Sequence, residues 1–183
     1  LNGMFAFAIF DSKTEELFLA RDRFGVKPLY YYSDKEIFIF ASEIKSILSH
    51  SMVEAFPNTD VIGKFLITGA INDTNLTSFK GVLNLLPGHY LKMKNNFIEI
   101  KRWYVSENRI EKEKKNWEYF KSIEDFKNLF INSVGIRLRS DVEVGACLSG
   151  GLDSSAIVGA VSENLSSSTS HKGGSFKTFS SVY

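Results

Sequence analysis

The stretch CLSGGLDSSAIVGAV, Cys147 to Val161, decides how the rest of the chain is read. An apolar run over Val142–Leu148, read as a buried strand, stops at Ser-Gly-Gly-Leu-Asp-Ser-Ser. An apolar pattern then resumes at once, with Ile157, Ala160, Val161 and Leu165 on one face of a helix. A strand that ends in small residues and opens a helix is an arrangement that binds phosphate. Gly150 and Gly151 permit backbone conformations a side chain would forbid and let a ligand come close. Free N–H groups at the helix start, at the positive end of the helix dipole, face the anion. Ser149, Ser154 and Ser155 add hydroxyl donors. Asp153 would repel a phosphate unless a cation sat between them, so it implies Mg²⁺. The loop lacks the Gly-Lys-Ser/Thr ending of a Walker loop and lacks Gly-X-Gly-X-X-Gly. A Gly-Gly turn before a Ser/Asp-capped helix needs no ligand, but the flanking strand and amphipathic helix favour the anion site.

Outward from this loop the pattern extends in both directions. Upstream, Phe126, Phe130, Val134 and Leu138 recur every four residues with Leu129 beside them, as on an amphipathic helix. Ser122 and Asp125 stand where a capping box would start it. Downstream, SSSTSHKGGS (Ser166–Ser175) has the composition of a flexible loop, and FKTFSSVY reads as another strand. Helix, strand, glycine loop, helix, loop and strand make a parallel α/β unit, Rossmann-like in kind. The charged, apolar-poor stretch Ser106–Lys115 reads as a linker.

Before the linker the periodicity is that of strands. Phe5, Phe7 and Ile9 share one face, Ala6, Ala8 and Phe10 the other, so this strand is expected to be covered on both sides. Leu17–Ala20 reads as a second strand, and RDRFGVKPLYYY (Arg21–Tyr32) as a loop entering a third. EIFIFASEIKSIL reads as a fourth strand turning into a short helix with Ser42 as its N-cap. A short helix is expected over Asp60–Ile67, then two strands joined by a turn at Asn95-Asn96. Hairpin after hairpin predicts an antiparallel sheet.

Composition excludes several classes. The 183 residues are 44% hydrophobic and 23% charged, which suits a soluble globular protein. A formal net charge of +1 gives no reason to expect nucleic acid or anionic membrane as the main partner. The single cysteine, Cys147, permits no intrachain disulfide and suits a reducing compartment. It is expected to be a buried packing residue of its strand. The Asn-X-Ser/Thr triplets at Asn72, Asn75 and Asn164 are read as chance, and no apolar run reaches the roughly 20 residues of a membrane span. His50, His89 and His171 share no metal-like spacing. Arg21 and Asp22 read as a scaffold pair of opposite charges at a strand end. The chain starts at Leu1 without an initiator Met and stops at Tyr183 inside an apparent strand, so it reads as an internal fragment.

Ser149-Gly150-Gly151-Leu152-Asp153-Ser154 resembles the pyrophosphate loop of the N-type ATP pyrophosphatases, which include asparagine, argininosuccinate and GMP synthetases. The longer RSDVEVGACLSGGLDSSAIV is similar to the glutamine-hydrolysing asparagine synthetase family in particular. LNGMFAFAIFD, ARDRFGVKPLYY, FASEIKSIL and LLPGHYL resemble the same family's glutaminase domain, in the family's order.

The resemblance implies an α+β, N-terminal nucleophile glutaminase-like part over 1–105, incomplete. A linker over 106–120 and an incomplete α/β ATP pyrophosphatase part over 121–183 would follow. It implies ATP and Mg²⁺, with glutamine and aspartate as further substrates, a cytoplasmic location and possible homodimers, and neither a nucleic-acid nor a membrane partner. Ser149, Gly150, Gly151, Asp153, Ser154 and Ser155 would hold the pyrophosphate end of ATP, Asp153 on the metal. Leu148 and Ser181 would flank the adenosine, mostly through backbone. The family's nucleophilic cysteine opens the mature domain; Leu1 is not it, and the chain alone is expected to be inactive. β-Lactam synthetases and carbohydrate- or peptide-amidating relatives look similar through this region, and a non-catalytic ATP-binding remnant is the reading from another class. A parallel sheet cut after two strands predicts poor solubility or partial unfolding of the C-terminal third.

Overall fold

The computed structural model describes residues 1–70, 74–105, 123–167 and 176–181. The chain divides into two units, Leu1–Arg109 and Ile110–Tyr183. The 106–120 linker, the Ser122 cap, His171, Asn72 and most of the Ser166–Ser175 loop lie outside the described residues.

In the first unit, β1 (Ala6–Asp11), β2 (Glu16–Arg21), β6 (His89–Lys94) and β7 (Phe97–Arg102) form an antiparallel sheet in the order β1-β2-β6-β7. A second antiparallel sheet runs β4-β3-β5, from β3 (Tyr30–Ser33), β4 (Phe38–Ala41) and β5 (Val82–Asn84). Period-two alternation decides what packs where. Leu19 and Leu91 of the first sheet meet Tyr31 of the second, with Leu29 and Leu85, in one buried cluster. Tyr30 and Tyr32, on the other side of β3, pack with Ile47, Val53 and Val82 beside the short helix α1 (Ile44–Leu48). At the β6–β7 turn Asn95 and Asn96 have φ of 49° and 60°. Two left-handed residues in a row are what a tight type I′ hairpin requires. Helix α2 (Thr59–Thr68) starts at an Asn58 side-chain cap and ends at Gly69, φ 68°.

Three expectations need correction here. β1 is the edge of its sheet, and Ile9 and Phe10 stand 57% and 62% exposed, so its outer half is not covered on both faces. What packs over each face of a strand comes from segments far along the chain, which its own sequence does not reveal. Ser42 does not cap α1: the N-cap is Glu43, with no side-chain bond, and the five-residue helix is held by the fully buried Ile47. The region after α2 contains three strands, because the short β5 pairs with β3.

In the second unit, α3 (Ile123–Arg137) packs on α4 (Leu152–Ser167) through Val134, Ala160 and Val161, with Phe130, Ile131, Leu138, Leu165 and Phe176 around them. Ile157 is less buried than its helical period suggests, at 42% exposed. The Asn164 amide bridges the helices by donating to the Ile131 carbonyl at 2.9 Å and to Ala160 O at 2.8 Å. Gly135 makes room for it, since a Cβ there would lie 2.5 Å from Asn164 Oδ1. β8 (Gly145–Cys147) and β9 (Lys177–Phe179) pair in parallel. Among the described residues no helix is long and apolar enough to cross a membrane.

Candidate functional site

The glycine loop stands where the sequence puts it, between β8 and α4. Its base is set by close packing of the two strands. A Cβ on Gly145 would lie 2.9 Å from Lys177 O and 2.9 Å from the Phe179 ring, so only glycine lets them approach this way. Just past β8, Leu148 N–H donates to Phe179 O at 2.8 Å, and Ser180 Oγ donates to Leu148 O at 2.8 Å.

The chain then turns at Gly150, φ 80°, a left-handed conformation that favours glycine. A Cβ at Gly150 would meet nothing within 4 Å, so the turn faces open space. Helix α4 closes its first backbone bond from Ser155 N–H to Gly151 O, 3.1 Å. The N–H groups of Gly151, Leu152, Asp153 and Ser154 therefore precede the first intrahelical donor and have no helical acceptor. Ser154 Oγ donates to Gly151 O at 3.1 Å, and the Ser149 and Ser154 hydroxyls lie 3.1 Å apart across the loop. The structure thus brings Leu148 through Ser155 into one exposed turn, with Ser181 at the neighbouring strand exit.

Asp153 lies in the first turn of α4 and is exposed. Among the described residues no hydrogen bond or ion pair engages it, and no group of three or more His, Cys, Asp or Glu could hold a metal. One carboxylate fits Mg²⁺ only where phosphate oxygens and water supply the remaining ligands, which is how that ion usually binds with nucleotides. The metal would arrive with the polyphosphate.

Cys147 is exposed, contrary to the expectation that it packs inside. Along β8 the pattern is exposed, half-buried, exposed; Ala146 takes the packed side and Cys147 the other. Alternation puts the two on opposite faces.

The other loop singled out by sequence, Arg21–Lys27, is built differently. Arg21 and Asp22 are both buried, and each is spent on other groups of the fold, mostly main chain, rather than on its neighbour. The Arg21 guanidinium donates to Lys27 O, Gly25 O, Leu85 O and Asn84 Oδ1, at 2.7–2.8 Å. The Asp22 carboxylate accepts from the N–H groups of Phe5, Phe24, Val26 and Lys27. Burial pushes its pKa up, but the four N–H donors outweigh that and hold it below the ordinary carboxylate value. Trp103 Nε1–H donates to Arg21 O, and the Arg23 guanidinium lies 5.5 Å from the Trp103 ring centroid. This loop is a scaffold, as the charge pair suggested. Its means, an aspartate satisfied by main chain and an arginine satisfied by main chain and the Asn84 side chain, was not readable from the pair alone.

A two-sheet antiparallel unit with helices suits a glutamine amidotransferase-like domain, and residues 1–104 match the glutamine amidotransferase domain family. Residues 125–183, which contain the glycine loop, match the asparagine synthase family. With both halves accounted for, the chain belongs to the asparagine synthetase family.

Asparagine synthetase [glutamine-hydrolyzing] 3 of Bacillus subtilis is 38% identical over 157 residues, 86% of this chain and 25% of that protein. Putative asparagine synthetase [glutamine-hydrolyzing] 2 of Methanocaldococcus jannaschii is 41% identical over 164 residues, 88% of this chain and 31% of that one. Amidase chry2 of Gibberella zeae is 34% identical over 170 residues, 92% of this chain and 25% of that one. The chain spans about a quarter to a third of the length of these relatives.

Proposed function

We propose that this chain is part of an ATP-dependent, glutamine-hydrolysing amidotransferase that converts aspartate to asparagine. The first unit, taken as 1–105, has the N-terminal nucleophile fold and helps to release ammonia from glutamine. The second, taken as 121–183, begins a Rossmann-like ATP pyrophosphatase fold. There the aspartate side-chain carboxylate attacks the α-phosphorus of ATP, pyrophosphate leaves, and β-aspartyl-AMP forms. Ammonia then attacks the acyl carbon, AMP departs, and the amide remains. The reaction works in a reducing cytoplasm.

The observation that carries this reading is the open turn Ser149–Ser155. Its helix-start N–H groups have no helical acceptor, and its two facing hydroxyls sit in a chain that also carries an amidotransferase domain. Ser149, Gly150, Gly151, Ser154 and Ser155 hold the pyrophosphate end, by backbone N–H and hydroxyl donation. Leu148 and Ser181 flank the adenosine. Mg²⁺, held by Asp153 and the phosphates, would supply charge neutralisation at the leaving pyrophosphate.

A second reading changes only the acceptor. It is favoured by the amidase relative, which matches 92% of this chain. The test is pyrophosphate release by the complete gene product with glutamine and a panel of carboxylic acids. Release dependent on aspartate, and lost in Asp153→Asn, is the expected result. Release with another acid alone favours the second reading, and none with any acid contradicts both.

A further inference from the structure

Resting on the nucleotide reading of this loop, we propose that Ser180 is a positioning residue that stops the β8–β9 ladder one rung early. The register runs Gly145 with Lys177, Ala146 with Thr178 and Cys147 with Phe179, so Leu148 comes opposite Ser180. In a parallel ladder such a residue bonds to the two flanking its partner. The first of these bonds is present, Leu148 N–H to Phe179 O at 2.8 Å. The second would bring the Ser181 N–H to the Leu148 carbonyl. That carbonyl instead takes the Ser180 hydroxyl at 2.8 Å. Among the described residues the Ser181 N–H enters no hydrogen bond.

A serine hydroxyl competing with main chain for a carbonyl is a known way to end regular structure. Here it has two effects at the mouth of the loop. Leu148, the last residue before Ser149, is held by both of its backbone groups, which fixes where the turn begins. The Ser181 N–H, no longer spent on the ladder, stays available beside the turn. Alanine at 180 would leave the Leu148 carbonyl open to the Ser181 N–H, and the strands would zip by one more rung. Ser180 is exposed, so the substitution removes a hydroxyl without emptying a core.

The experiment compares wild type, Ser180→Ala and Ser180→Thr of the complete gene product. Amide hydrogen exchange is resolved at Ser181 without nucleotide, and affinity is measured for a non-hydrolysable ATP analogue with Mg²⁺. Ser180→Ala is expected to slow exchange at Ser181 and to weaken binding about tenfold, the scale of one well-placed hydrogen bond. Ser180→Thr, which keeps the hydroxyl, is expected to restore both. Loss of a merely structural contact would speed exchange across the β8–β9 pair instead, and that result overturns the proposal. Binding by wild type with the same affinity in Ser180→Ala overturns the positioning role alone. Failure of wild type to bind the analogue removes the nucleotide reading and this role with it.

Discussion

Two loops of this chain contain an aspartate at the edge of a glycine turn, and they use it in opposite ways. In Asp22–Lys27 the carboxylate is buried and accepts four backbone N–H groups, while Arg21 collects the carbonyls on the other side. In Ser149–Ser155 the carboxylate is exposed and unengaged, and the helix-start N–H groups have no helical acceptor. The first loop supplies its own anion and is complete without a ligand. The second turns its helix-start donors toward open space, which is why the proposed function places a polyphosphate there. Glycine and aspartate alone do not mark a binding loop; whether the backbone donors are already satisfied does.

The contrast predicts opposite costs for the same mutation. Asp22→Ala orphans four N–H groups in a buried setting and should destabilise the first unit by about 3–5 kcal/mol, read as a lower denaturant midpoint. Asp153→Ala should cost less than about 1 kcal/mol, mainly the lost helix-dipole contact, yet abolish ATP-dependent pyrophosphate release. If Asp22→Ala melts like wild type, the first loop is not self-satisfied and the comparison fails.

The linked pH dependence has a definite sign. Asp22 has a folded pKa below its unfolded value near 4, so as pH falls the unfolded chain takes up the proton first. Its contribution is present above that unfolded value and is lost as pH falls through the folded one. Asp11 and Asp34 are also lowered, by backbone N–H bonds at exposed turns, and they add to the acid slope. The stability difference between wild type and Asp22→Asn, followed from pH 5 downward, isolates the Asp22 share and should shrink with acidity. A difference constant with pH would contradict it.

The glycines sharpen the comparison at smaller magnitude. Gly25 has φ 65°, and an added Cβ would lie 2.7 Å from Pro87 Cγ, so Gly25→Ala should cost about 2–4 kcal/mol in thermal or denaturant melts. Gly150 has φ 80° but open space at the Cβ position, so Gly150→Ala should cost only about 1 kcal/mol of strain. Under the proposed nucleotide reading its effect falls on affinity, weakened about tenfold where the methyl would meet the phosphates. Ser149→Ala is the mildest change, within about 0.5 kcal/mol in stability and a few-fold in affinity. Equal losses of stability for the two glycine variants would erase the distinction.

Much of this was legible because it is local. The β8–turn–α4 order, the Asn95-Asn96 hairpin and the α2 span follow from periodicity and turn chemistry within a few residues. What failed depends on neighbours far along the chain. Whether Ile9 and Phe10 are covered depends on what packs over each face of the sheet. β5 is three residues long and owes its existence to pairing with β3. Cys147 sits on a strand whose two faces look alike in sequence, and only the packing of Ala146 picks the inner one. Ser180 was passed over in favour of Ser181, although two serines at a strand exit were the available signal. A side-chain bond to a carbonyl 32 residues away leaves no mark on local pattern.

The most direct measurement is amide hydrogen exchange of the complete gene product with and without the non-hydrolysable ATP analogue and Mg²⁺. New protection is expected across Ser149–Ser155 and none at Phe24–Lys27, which is already satisfied. Protection confined to Phe24–Lys27, or unchanged exchange at Ser149–Ser155 under saturating analogue, would contradict it.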